Sequence, residues 1–249
     1  MGPGKSPKAS SQQSYRIMNS VTGVVTEGVS LERLPGALNA RSGLKILAEP
    51  EDPYHSLLKE FGDVISENPP MGLTPYRGVR HEIDLVPGTK YCVTRQWPLP
   101  KEQCDVIDAF FKGKEEAGMV RESKSPHSSP TFCVRKPNGK WRIVHAYNKL
   151  NAPTVPMQTP IPRKDVLQNN MAGCTVYSAL DVVDGYYQVL MRASDIPLTA
   201  VSTHSGMLWE WIVMPQGLSN APATFNRLVT QLFHPHRKYA QTYFDYIRP

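Results

Sequence analysis

Two carboxylates stand where apolar runs end. Asp181 follows Val176-Tyr177-Ser178-Ala179-Leu180, a run of strand length and β-type residues, and Asp184-Gly185 turns the chain directly afterwards. Asp245 follows Tyr243-Phe244 in the same manner near the C-terminus. A carboxylate at the lip of a sheet can hold a metal. It can also cap the next element, and on the first stretch alone capping is the simpler reading. A third feature lies between the two. Residues 121–164 hold nine Lys or Arg against the single acid Glu122, an excess larger than the +6 of the whole chain. The charges cluster on a hairpin, Pro130–Lys136 and Lys140–Val144, joined by a Pro137-Asn138-Gly139 turn of the Asn-Gly type. Nine against one favours a polyanion contact over an ordinary solvated hairpin. A turn at Gly217-Leu218 then opens a helix. The set suits phosphoryl transfer from a nucleoside triphosphate. Carboxylates would hold paired divalent metals about 3.5–4 Å apart. Cations and backbone N–H groups would hold the phosphates. A positive track with aromatic surfaces would hold a template strand.

Those residues need elements to position them. The 249 residues suffice for one large domain or two small ones, and 40% hydrophobic content supports a core. Met1 to Gln13 is rich in Gly, Pro, Ser and Lys, and Ser20 to Leu47 shows no clear period, so residues 1–50 are expected to be poorly ordered, with a few weak strands or a linker. Residues 51–75 are expected to be a helix (51–66, with Leu57, Leu58, Phe61 and Ile65 on one face) and a linker. His81 to Leu85 alternates like an edge strand. A helix runs from about Lys101 to Ala117, with Val106, Ile107, Phe110 and Phe111 as its apolar face and Gly118 as its stop. Four prolines keep Asn151–Pro162 extended, and a short helix follows from Lys164 to Met171. Leu198–Ser202 and Leu208–Val213 read as strands, and a helix begins at Asn220-Ala221-Pro222.

Composition excludes several classes. No apolar run approaches the ~20 residues of a membrane span, and the N-terminus has no hydrophobic signal region. Cys92, Cys104, Cys133 and Cys174 have no C-x-x-C spacing. They are expected to be reduced thiols of an intracellular, cytoplasmic protein. No membrane partner is expected.

Five segments in order resemble the reverse transcriptases (RNA-directed DNA polymerases) of retroelements, most of all those of gypsy-type long-terminal-repeat retrotransposons. They are His81–Leu85 with Pro87-Gly88; Ser123-Lys124-Ser125-Pro126 through Lys140-Trp141-Arg142; Leu180-Asp181 through Gly185-Tyr186; Met214–Leu218 with Ala221–Phe225; and Tyr243-Phe244-Asp245. Each is weak alone, and together they span about 170 residues. The resemblance implies an α+β fold with the fingers and palm of a right-hand polymerase, the palm an antiparallel sheet backed by helices. Residues 76–165 would be fingers-like and 166–249 a partial palm. It implies template-directed DNA synthesis on an RNA or DNA template with a primer, from deoxynucleoside triphosphates, with two Mg²⁺ or Mn²⁺ ions. Magnesium fits hard oxygen donors and phosphates.

The resemblance also implies roles for particular residues. Asp181 and Asp245 would be the catalytic metal ligands, with the Val182 carbonyl assisting. Asp184 and Gly185 would offer backbone amides to the triphosphate. Tyr186 would be the steric gate that excludes a 2′-hydroxyl by clash, and Gln216 would lie against the sugar. Lys136 and Arg142 would clamp the triphosphate, Arg142 in bidentate fashion, with Arg135 replacing Lys136 if the hairpin register shifts. Arg135, Lys140, Trp141 and Gly217 would meet nucleic acid. Three departures follow. Tyr246 stands where the family carries a second consecutive Asp. The sequence stops at Pro249, so the return strand of that hairpin and a thumb are expected to be missing. Ala146-Tyr147-Asn148 replaces Asp-Tyr-Arg. On this basis the isolated chain is expected to show little or no polymerase activity. The alternatives are a non-catalytic nucleic-acid-binding remnant and a degenerate reading frame.

Overall fold

The computed structural model describes residues 13–18, 24–30, 42–62, 71–137, 139–158, 160, 163–170, 172–173, 180–182, 184–238, 240–243 and 246–248. In chain order the strands are β1 (Gln13–Met18), β2 (Val24–Ser30), β3 (Arg80–His81), β4 (Val120–Glu122), β5 (Ser129–Arg135), β6 (Trp141–His145), β7 (Leu180–Val182), β8 (Leu190–Met191), β9 (Val201–Ser202), β10 (Leu208–Trp211), β11 (Gln241–Tyr243) and β12 (Tyr246–Arg248). The α-helices are α1 (Gly43–Ala48), α2 (His55–Glu60), α3 (Lys101–Glu116), α4 (Asn148–Asn151), α5 (Lys164–Asn170) and α6 (Ala221–Phe233). The fold is α+β, as expected.

One sheet has the order β1-β2-β7-β12-β11, antiparallel throughout. It bears on two expectations. In the N-terminal stretch read as poorly ordered, with a few weak strands or a linker, Gln13–Met18 and Val24–Ser30 pair antiparallel. A ladder to β7 supplies pairing that no local periodicity announces, because strand formation depends on partners more than on intrinsic preference. The return strand expected to be missing is β12, which pairs with both β11 and β7.

The second sheet has the order β4-β10-β9-β5-β6, with β5 and β9 parallel and the other pairs antiparallel. The basic hairpin forms as expected, and α3 packs beside it. Pro100 caps that helix and Gly118, at φ +70, follows its end. Its buried positions are Cys104, Ile107, Phe111 and Lys114, a stripe at helical spacing. Phe111 stacks on Trp209 at 5.8 Å and 8°. Tyr147, Leu150, Val189, Met191, Trp211, Val213 and Met214 continue the same core into Phe225, Leu228 and Val229 of α6. Each such large side chain contributes roughly 1.5–3 kcal/mol of burial.

Other expected elements are shorter. The 51–66 helix reduces to α2, on which Leu57 is exposed, and Phe61 just beyond it is exposed too; residues 63–70 lie outside the described residues. The edge strand at 81–85 reduces to β3, paired in parallel with β8. Beyond it Leu85 makes only an isolated bridge to Thr154, and side chains add to the backbone bonds. Ile83 N donates to Asp195 Oδ2 (2.8 Å), and Arg192 binds Glu82, Asp84 and Asp195 at 3.1, 2.7 and 2.7 Å. The strand expected at 198–202 is preceded by a 3-10 turn over Ala193–Thr199, where Pro197 has no N–H for a ladder. Among the described residues, Cys92, Cys104 and Cys133 are buried free thiols, and no helix is long and apolar enough to cross a membrane. Cys174 and residues 174–179 lie outside the described residues.

Candidate functional site

Three pieces of chain, together with helix α3, converge on one cavity of about 260 Å³. The first is the basic hairpin. Val134 faces Arg142 and Arg135 faces Trp141 across it. Its turn closes through Lys136 N donating to Lys140 O (2.8 Å) and Gly139 N donating to Lys136 O (2.9 Å). Gly139 takes φ +78, which a glycine adopts without steric cost. Lys136, Arg142 and Ile143 face the cavity. Arg135 instead lies over the Trp141 ring at 5.5 Å, and Arg135, Lys140 and Trp141 are not in the cavity lining.

The second piece is the turn after β7. Asp184 is left-handed (φ 51, ψ 31), alone among the described non-glycine residues in its positive φ. A 3-10 turn over Gly185–Gln188 follows, and Tyr187 N donates to Asp184 O at 2.9 Å. Gly185 sits against α6, where an added Cβ would lie 2.7 Å from Phe225 Cζ. Tyr186 packs edge-on to Phe225 (5.5 Å), outside the cavity lining. Tyr187 is buried, stacks on Trp211 (5.1 Å, 3°) and lines the cavity. Burial pushes its phenol well above the ordinary value.

The third piece is the loop that carries Gln216. Met214 N donates to Val189 O (2.8 Å). Asn151 Nδ2 donates to Gly217 O (2.8 Å), and Asn151 Oδ1 accepts from Ser219 N (3.0 Å). Gly217 takes φ +104, and an added Cβ would lie 3.2 Å from His145 O. Its role in this structure is close packing on the β6 end, which lets Gln216 reach the cavity. Tyr147, buried beneath, donates its hydroxyl to Thr199 O at 2.9 Å.

Lys136, Arg142, Asp184 and Gln216, chosen from distant segments, therefore meet in one lining. Four members were not foreseen: Phe110, Lys114, Ile143 and Tyr187. Lys114 Nζ lies 3.7 Å from Asp184 Oδ2 and 4.2 Å from the Tyr187 ring centre. Burial pulls its ammonium below the ordinary range, and Asp184 opposes that shift. The signal was present in α3, because the stripe through Cys104, Ile107 and Phe111 continues to position 114.

Two of the expected metal ligands, Asp181 and Val182, lie on the other sheet. Asp181 in β7 faces Val25 of β2 on one side and Tyr246 of β12 on the other, and Val182 faces Val24. Asp245 lies between β11 and β12, outside the described residues. Among the described residues no three His, Cys, Asp or Glu groups are arranged to hold a metal.

Residues 134–247 match the family model described as reverse transcriptase (RNA-dependent DNA polymerase). The chain is 36% identical over 158 residues to the Retrovirus-related Pol polyprotein from transposon 297 of Drosophila melanogaster, covering 61% of the chain and 15% of that protein. It is 30% identical over 222 residues to the corresponding polyprotein from transposon opus of the same organism, covering 86% and 22%. It is 33% identical over 190 residues to the Enzymatic polyprotein of Soybean chlorotic mottle virus, covering 72% and 26%. The chain thus spans about a quarter or less of each relative's length. A match that begins inside β5 and runs through every piece of chain around the cavity except α3 makes this chain a member of the reverse transcriptase (RNA-dependent DNA polymerase) family.

Proposed function

We propose that the cavity receives a deoxynucleoside triphosphate, and that the chain is the template-directed DNA-synthesising part of a gypsy-type retrotransposon polyprotein. The observation that carries this reading is the meeting of Lys136, Arg142, Asp184 and Gln216 around one 260 Å³ space. The two hairpin cations would take the phosphates, Arg142 through its fork of donors. The Asp184 and Gly185 amides would supply further donors, and Gln216 would orient the sugar. The sheet β4-β10-β9-β5-β6 with α3 would serve as fingers and β7-β12-β11 as palm.

Two divalent ions belong to this chemistry. The donors available are the carboxylates of Asp181 and Asp245 and the carbonyl of Val182, all hard oxygens that fit magnesium. When bound, such ions polarise the phosphoryl oxygens and lower the pKa of the attacking hydroxyl. Tyr246, a neutral phenol at ordinary pH, holds the register position opposite Asp181. It leaves the donor set with fewer charges, so metal affinity and primer extension are reduced. Isothermal titration with deoxyadenosine triphosphate and magnesium tests the cavity. Lys136→Ala with Arg142→Ala should weaken binding at least about tenfold, since each charge-assisted contact contributes ~1.5–3 kcal/mol. Unchanged binding would reject the site.

A second reading rests on a separate observation. Arg135, Lys136, Lys140 and Arg142 are all exposed on one hairpin, with Arg135 over Trp141. That surface would bind a nucleic-acid backbone without catalysis, with affinity that falls steeply with salt. Asp181→Ala separates the two readings. It abolishes primer extension in the first and leaves strand binding unchanged in the second.

A further inference from the structure

Lys114 is 5% exposed and sits at the fourth position of the α3 stripe that otherwise carries Cys104, Ile107 and Phe111. A buried ammonium is costly unless paired, so its partner is informative. That partner is Asp184, at 3.7 Å, whose side chain is 52% exposed. The Lys114 stem runs through apolar surroundings and its Nζ lies over Tyr187 (4.2 Å) and near Phe110 (5.7 Å). Asp184 is the only acid in the cavity lining among the described residues, against the three cations Lys114, Lys136 and Arg142. Its backbone is left-handed, at the start of the Gly185–Gln188 turn.

An acid in the wall of a cavity that takes a polyanion is a contradiction unless something cancels it. We propose that Lys114 and Asp184 form one charge-balanced unit in the cavity wall, with Lys114 as a positioning residue that holds the Asp184 carboxylate away from an incoming triphosphate. This rests on the nucleotide reading above. The pair fixes the turn by its side chain while Tyr187 N fixes it through the backbone. With the pair intact the lining keeps a net excess of two positive charges. Without Lys114 a bare carboxylate faces the phosphates.

The test is titration of the purified chain with magnesium–deoxyadenosine triphosphate and, separately, inorganic tripolyphosphate. Thermal melting serves as the folding control. Lys114→Met keeps an unbranched stem against Phe110 and Tyr187. It should weaken both ligands by about tenfold, the scale of one unscreened charge roughly 12 Å from a phosphate charge in an effective dielectric near 20. Adding Asp184→Asn to it should restore most of the loss. A double variant as weak as the single one overturns the unit, because Lys114 would then act on the phosphates independently of Asp184. Unchanged binding by Lys114→Met overturns it too. If Lys114→Met does not fold, Asp184→Asn alone decides: the unit requires binding equal to or tighter than the parent, and weaker binding rejects it. Loss of effect in the Lys136→Ala, Arg142→Ala variant would instead reject the nucleotide reading itself, so the two failures are distinguishable.

Discussion

Gly185 leaves no room for a methyl group. An added Cβ would meet Phe225 Cζ at 2.7 Å and Phe225 Cε2 at 2.8 Å, and that ring is itself buried in the core. Gly185→Ala must therefore push the Asp184 turn away from α6. We expect a loss of roughly 1–3 kcal/mol, seen as a lower urea midpoint, together with weaker triphosphate binding because Asp184 moves with the turn. Tyr186 depends on the same contact. It packs on Phe225 rather than on the cavity. The resemblance implies Tyr186 as the gate, and the ring of its neighbour Tyr187 lines the cavity beside it.

At the scale of elements, one side-chain amide ties down the Gln216 loop at both Gly217 and Ser219. Asn151, from the end of α4, donates to Gly217 O and accepts from Ser219 N. Asn151→Ala removes both bonds. It should cost about 1–2 kcal/mol and raise the Kd for triphosphate without changing binding to tripolyphosphate, which has no sugar for Gln216 to orient. Titration with the two ligands side by side checks this. The basic hairpin was legible because Asn-Gly chemistry and alternating residues both act locally, and β5 and β6 form where they were expected. α3 and α6 were legible for the same reason, with caps and apolar stripes at helical spacing. β2 and β12 were not, because both pair with β7, whose residues lie far from theirs in sequence. Lys114 was missed because a charged residue is normally assigned to a solvated face, and only its stripe position says otherwise.

For the whole molecule, buried histidines make stability sensitive to acid: burial lowers His127 as well as the two strongest cases, His81 and His145. Burial lowers His81 to about 4, with Asp195 opposing and Arg192 adding to that shift. His145, enclosed by Phe111, Tyr147 and Trp211, is lowered to about 3 by burial. In the unfolded chain both would titrate near 6.5. Between pH ~6.5 and ~4 the unfolded state therefore binds more protons than the folded one, and stability falls as pH drops through that window. The slope is on the order of 1 kcal/mol per pH unit for each histidine. Urea midpoints measured from pH 7.5 down to 4.5 should decline once below about pH 6.5. His81→Asn, which keeps a partner for Thr224 Oγ1, should make the decline shallower.

The three residues of β7 have neighbours drawn from opposite parts of the chain, residues 24–25 on one side and 246–247 on the other. During synthesis the first neighbour is waiting long before Asp181 emerges, and the second arrives only when the chain has been made through Arg248. The strand that carries the first carboxylate thus passes its early life with one edge open, as a site for pairing with another chain. Pairing with β12 is what covers that edge.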